Sequence, residues 1–156
     1  MEIKLTILGQ FFENPNKSFS IRQLSRILKI NHTTIRQYLN KMVKEKILSL
    51  KKEGIYSNYN LILSKKTLNL KLYYNLEKLR ASQLIENIEK AYDFPVIVLF
   101  GSYSTATDSI DSDIDICIIS NIEKEFPTEK YGKILNRKIS MHKFNKTSFD
   151  KAKKLN

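Results

Sequence analysis

The 156 residues suffice for one domain or two small ones, and a hydrophobic content of 42% supports a packed interior. The single cysteine, Cys117, excludes an intrachain disulfide, and no apolar run is long enough to predict a membrane-spanning helix. The formal net charge of +11 is uneven: residues 1–66 carry thirteen Lys/Arg against four Asp/Glu (+9), residues 67–95 four of each, and residues 96–156 ten against eight (+2).

A basic field confined to the first third is the footprint of a nucleic-acid binder, although a general preference for surface lysine gives the same count. The opening Met1-Glu2-Ile3-Lys4 has no signal-peptide pattern, so a soluble cytoplasmic protein is expected. Two cores of about 60 residues each would be marginal alone, which favours docking between domains or a homodimer.

Along the chain, Ile3, Leu5, Ile7, Leu8, Phe11 and Phe12 recur at helical spacing, and Asn14-Pro15-Asn16 ends that helix. Ser20 with Gln23 three positions on reads as a capping box for a second helix, Ile21 to Leu28. After a short turn at Lys29–His32, Thr33 or His32 opens a third helix to about Glu45, with Ile35, Leu39, Met42 and Val43 inward. Ile47–Leu50 and Tyr56–Leu63 read as strands, joined by a basic hairpin, Lys51-Lys52-Glu53-Gly54, whose glycine is available for positive φ.

Residues 65–92 read as a connecting helical segment, broken near Ala81-Ser82. Leu68, Leu72, Leu76, Leu79, Leu84, Ile85 and Ile88 form its apolar stripe. Val96-Ile97-Val98-Leu99-Phe100 then suits a strand buried on both faces. Ile114–Ile119 reads as a second buried strand interrupted by Asp115, Lys138–Phe144 as a third, and a short helix begins near Thr147. The fold class is α+β, with domains at 1–64 and 93–156 on either side of the connecting segment.

A carboxylate within a buried strand needs a reason. Asp113 and Asp115 are two apart, so in a strand they share a side, where like charges repel. A divalent cation between them reverses the balance, and Mg²⁺ typically takes one or two carboxylates together with substrate phosphates. Alone, Asp-x-Asp is more often a solvated strand end. Gly101-Ser102, directly after the apolar strand, adds a turn where a phosphate can approach the backbone N–H groups. His32 and His142 are too few and too far apart to suggest zinc.

Leu99-Phe100-Gly101-Ser102, a ten-residue gap, and Asp113-Ile114-Asp115-Ile116 together resemble the signature of the polymerase-beta-like nucleotidyltransferase superfamily, in particular its minimal MNT members. The resemblance covers about residues 93–145. It implies that Gly101 and Ser102 hold the triphosphate, most simply ATP, and that Asp113 and Asp115 ligate Mg²⁺ and serve catalysis. Residues 1–64 resemble, by order of elements, the winged helix-turn-helix superfamily. The fusion is similar to a group of small, mostly archaeal proteins. Minimal members of the nucleotidyltransferase family often pair, as antitoxins, with a helical HEPN protein that can accept AMP, so such an acceptor is an expected partner.

Two departures from the family pattern stand out. Ala106 occupies a place usually held by glycine, and the third strand offers Ser140 or His142 where active members carry a third carboxylate. The competing reading is therefore a transcriptional regulator with weak or no catalysis, its second domain sensing nucleotide or dimerising. Duplex DNA is the expected partner of the first domain. His32, Thr33, Thr34, Arg36, Gln37 and Asn40 would read bases, and Arg22, Arg26, Lys29, Lys51 and Lys52 would face phosphates.

Overall fold

The computed structural model describes residues 2–53, 56–147 and 149. The fold is α+β, and the chain divides into two compact units, residues 1–74 and 75–156. The division falls inside a helix.

The first unit opens with helix α1 (Ile3–Glu13), α2 (Ile21–Leu28) and α3 (His32–Lys44), followed by strands β1 (Leu48–Glu53) and β2 (Tyr56–Leu61) in an antiparallel pair. The capping box at α2 is present: Gln23 N–H donates to Ser20 Oγ at 3.3 Å and Ser20 N–H donates to Gln23 Oε1 at 2.8 Å. Asn31 caps α3, accepting from Thr34 N–H at 2.8 Å. Ile7, Leu8, Phe11 and Phe12 of α1 are wholly buried with Leu24, Ile35, Leu39 and Met42, each worth roughly 1.5–3 kcal/mol. Phe19 adds an isolated antiparallel bridge to Tyr59 of β2. Lys4 Nζ meets Glu45 Oε2 at 2.8 Å, tying α1 to the end of α3, and this bond holds the Glu45 carboxyl below its usual range.

Two expectations change here. Lys51 and Lys52 belong to β1 itself rather than to the turn. Consecutive strand residues point to opposite faces, so the two lysines do not act as a pair. The tip of the hairpin, with Gly54, lies outside the described residues.

Helix α4 (Lys65–Ala81) carries the second correction. Its buried positions in the first unit are Thr67, Lys71 and Tyr74, while Leu68 and Leu76 are exposed; of the expected stripe, Leu79, Leu84 and Ile88 are buried, so it is packed only in its later part. The polar positions are tolerated because they are bonded: Thr67 Oγ1 donates to Ile62 O at 2.7 Å, and Tyr74 Oη donates to Glu13 Oε1 at 3.1 Å. Gly9 makes room for the Tyr74 ring, since a Cβ there would stand 2.8 Å from it.

In the second unit, α4 ends where Ser82 Oγ donates to Leu79 O and Gln83 adopts φ 59°, which restarts the chain as α5 (Leu84–Tyr92). This is the break expected near Ala81-Ser82. Strand β3 (Val96–Phe100), helix α6 (Gly101–Thr105), strand β4 (Ile114–Ile119), helix α7 (Thr128–Leu135) and strand β5 (Ile139–Phe144) follow. The sheet order is β3-β4-β5, with β3 antiparallel and β5 parallel to the central β4.

One sheet face packs Ile114, Ile116, Ile118 and Ile139 against Leu79, Leu84, Ile88, Tyr92, Tyr103, Tyr131 and Leu135. On the other face Val96 is 58% exposed and Val98 40%. Strand β3 is therefore half-buried and not enclosed on both sides. An apolar run reports composition but not how many layers cover it. Helix α7 has no counterpart in the expectations above, and the terminal helix expected from Thr147 onward lies outside the described residues apart from 147 and 149. Among the described residues, no helix is long and apolar enough to cross a membrane.

Candidate functional site

The second-unit candidates converge because of the strand register. Phe100 pairs with Asp115, and Asp115 pairs with Ser140, so three neighbouring strands bring the end of β3, the middle of the motif and the third-strand position to one level. Gly101 follows Phe100 directly with φ 69°, a conformation that favours glycine. A Cβ at Gly101 would overlap Oδ2 of Asp115 and stand 3.2 Å from its Cγ. The missing side chain thus makes two things possible: the turn into α6 and the seating of Asp115 against it. Ser102 is half-buried in the first turn of α6.

Asp113 stands just before β4 and is held from β5. Ser140 Oγ donates to Asp113 Oδ2 at 3.2 Å, and Lys138 Nζ lies 3.5 Å from the same oxygen. Ser140, not His142, therefore occupies the third-strand position. His142 sits one step further along beside Cys117, with its ring 5.5 Å from that of Phe100. Burial raises the pKa of the Cys117 thiol, consistent with an unreactive structural residue.

Ala106 has φ 59° at the C-cap of α6. That left-handed conformation is the physical reason for glycine at this place in the family pattern, and alanine accepts it at a cost of about 1–2 kcal/mol.

Among the described residues, no group of three or more His, Cys, Asp or Glu side chains could hold a metal by itself. Two carboxylates beside an open glycine turn do suit Mg²⁺, which completes its shell with water and phosphate oxygens. Asp113 and Asp115 would hold the ion, and the exposed Gly101 backbone lies directly beside the Asp115 carboxylate, which takes the space a Cβ would fill. Residues 81–153 match the family model of the nucleotidyltransferase domain. Over those residues the second unit is similar to a nucleotidyltransferase domain. No curated protein and no solved structure matches the chain.

A feature of the second unit that the sequence did not disclose lies behind this site. Asp108 and Arg137 form an ion pair at 3.0 Å with side chains 0% and 1% exposed. Asn75 Nδ2 donates to Asp108 Oδ1 at 2.9 Å. These residues are remote in sequence, and only the fold joins them.

In the first unit, Arg22, Arg26, Lys29, His32, Thr33, Arg36, Gln37, Asn40, Lys51 and Lys52 are all exposed. Thr34 is half-buried, with its N–H occupied by the Asn31 cap. Arg22 and Arg26 are four apart and share one side of α2, while Ile35 and Leu39 are fully buried and leave the polar side of α3 outward.

Proposed function

We propose that the protein binds a nucleoside triphosphate, ATP in the simplest case, together with Mg²⁺ at Gly101, Ser102, Asp113 and Asp115. The observation that carries this reading is the fit of Gly101 against Asp115, which sets an exposed backbone turn beside a half-buried carboxylate. When bound, the ion would offset phosphate charge and assist displacement at the α-phosphorus. The chain's own contribution is placement: the α6 turn orients the triphosphate, and Asp113 is steadied by Ser140 and Lys138. On β5, however, Ser140 is a hydroxyl donor, and a neutral hydroxyl does not take a proton from an attacking alcohol. A positioned base commonly contributes about 10²–10⁴-fold, so transfer by the isolated chain is slow or silent unless a partner supplies that group.

A HEPN-type protein is the acceptor class that fits the resemblance, and a cytoplasmic homodimer is the form we expect. Isothermal titration with ATP and Mg²⁺ tests the reading. The wild type should bind in a metal-dependent way, and Asp113→Asn with Asp115→Asn should lose that dependence while retaining its circular dichroism. Equal affinities for the two proteins would end the proposal.

A second reading concerns residues 1–64, taken as a winged helix that binds duplex DNA, with 65–92 as the connection to the second domain. It rests on the exposed polar side of α3 and the +9 charge of residues 1–66. Together with the absent third acid it makes a nucleotide-responsive transcriptional regulator the main alternative to a transferase. Covalent attachment of labelled nucleotide to any protein or RNA acceptor separates the two.

A further inference from the structure

We infer that Arg137 is a positioning residue that fixes the loop between the Gly101–Ser102 turn and Asp113. Its functional consequence rests on the nucleotide site proposed above, whereas the clamp itself does not. Residues 107–113 have no helix or strand, yet they set how far the phosphate turn lies from the first carboxylate. Such a segment is held by specific bonds or not at all.

The bonds converge on one side chain. Arg137 donates to the carbonyl of Ser109 and, at 3.1 Å, to that of Ser112, the residue before Asp113. The same guanidinium pairs with Asp108 at 3.0 Å and lies 5.3 Å from the centre of the Tyr103 ring, next in sequence to Ser102. Asn75 closes the circuit, donating to Asp108 Oδ1 at 2.9 Å and to Tyr103 O at 3.0 Å, while Tyr103 Oη donates back to Asn75 O at 3.2 Å. One network therefore touches the neighbours of both arms of the site.

The backbone at Arg137 is itself anchored. Its N–H donates to Gly132 O at 3.0 Å, and its carbonyl sits where a Cβ on Gly132 would be 2.8 Å away, so only glycine allows that approach without a shift. One residue on, Lys138 O accepts from Ile114 N–H at 2.8 Å. The guanidinium projects from a fixed point beside β4.

A buried ion pair is poor evidence of net stabilisation, because its desolvation offsets most of the attraction. What a planar, multiply donating guanidinium supplies is direction. Two carbonyls accept hydrogen bonds from it while it stays paired with one carboxylate, a spread of contacts that a single ammonium cannot reproduce from the same place.

The test is Arg137→Lys, which keeps the charge and loses the fork, examined by hydrogen exchange and by titration with ATP and Mg²⁺. Amides of residues 107–113 should exchange about tenfold faster, as expected when a charge-assisted hydrogen bond is lost, while those of β4 keep their protection. Affinity for Mg²⁺–ATP should fall by a comparable factor. Unchanged exchange in the loop overturns the inference. So does equal acceleration in loop and β4, which would make Arg137 a general staple. Should Arg137→Lys not fold, Asn75→Ala removes two of the bonds more gently and is judged by the same two criteria. If the wild type itself fails to bind Mg²⁺–ATP, the nucleotide reading falls, and hydrogen exchange alone still decides the clamp.

Discussion

The carboxylate of Asp115 rests against the bare Cα of Gly101, in a space that any Cβ at position 101 would take. Gly101→Ala should therefore do two separable things. Positive φ on alanine costs about 1–2 kcal/mol, which lowers the melting point of a small domain by roughly 4–16 °C. The methyl also displaces Asp115, so Mg²⁺-dependent ATP affinity should fall by about tenfold or more, the effect of losing one charge-assisted contact. Thermal unfolding and calorimetry on the same sample read the two effects independently. Full affinity in a destabilised protein would mean that Asp115 is not a ligand.

Ser140→Asp tests the missing third acid. Ser140 already reaches Asp113 at 3.2 Å, so a carboxylate there would crowd Asp113 and Asp115. Without metal the variant should lose roughly 1 kcal/mol, the worth of a one-unit carboxylate pKa shift. Millimolar Mn²⁺ or Mg²⁺ should restore the melting point and leave the wild type nearly unmoved. Nucleotidyl transfer to a supplied acceptor should rise. A metal response no larger than that of the wild type would place the Ser140 side chain outside the ion's reach.

Much of this arrangement was legible in the sequence, and the reasons are local. Ser20 and Gln23 announce the start of α2 because a capping box is a matter of three residues, and it is formed. The spacing of Gly101, Asp113 and Asp115 carries the nucleotidyltransferase pattern. For the third strand the sequence left Ser140 or His142 open, and only the register, which pairs Ser140 with Asp115, separates them. What failed was non-local. Leu68 and Leu76 have helical spacing, but Thr67, Lys71, Tyr74 and Asn75 occupy the buried side of α4 because each has a bond or partner that spacing does not reveal. The open face of β3 likewise depends on whether a second layer covers the sheet. The Asp108–Arg137 pair left no trace in the sequence, since Asp108 lies in an irregular loop and Arg137 precedes a strand.

Burial raises the pKa of the Cys117 thiol, which fixes the sign of a pH effect. In the unfolded chain a cysteine ionises near about pH 8.5, and in the folded chain it does so at higher pH. Its contribution to stability is therefore complete below about pH 8.5 and is lost as pH rises through the folded value. Alkylation by iodoacetamide at pH 8 should be slower in the native protein than in urea, because the thiolate is the nucleophile. Cys117→Ser should flatten the alkaline fall in melting point. Native and denatured rates that coincide would show that the thiol is open to solvent and ionises normally.

The proposed DNA contacts divide into two kinds that respond differently to mutation. Arg36, Gln37 and Asn40 lie on the exposed side of α3, whose start is fixed by the Asn31 cap. A long side chain there can pair bidentately with a base edge, so Arg36→Ala should cost about 1–3 kcal/mol on the preferred sequence and little on random duplex. Arg22, Arg26 and Lys29 on and after α2 are placed for phosphates, and replacing them should weaken all sequences alike. Each lost phosphate contact should reduce the slope of log K against log salt by about 0.9. Lys51 and Lys52 sharpen the test, because β1 sends them to opposite faces. Lys52 shares its side with Leu48 and Leu50, which pack into the first core, whereas Lys51 points away. If the hairpin lies along the duplex, only one of the two single alanine variants should flatten the salt slope. Selection from random duplexes followed by salt titration of the wild type and these variants decides the matter. An unenriched pool with no measurable affinity at low salt would reassign the basic unit to RNA or to a protein surface. Identical slopes for Lys51→Ala, Lys52→Ala and wild type would remove the hairpin from the interface but leave α3 in it.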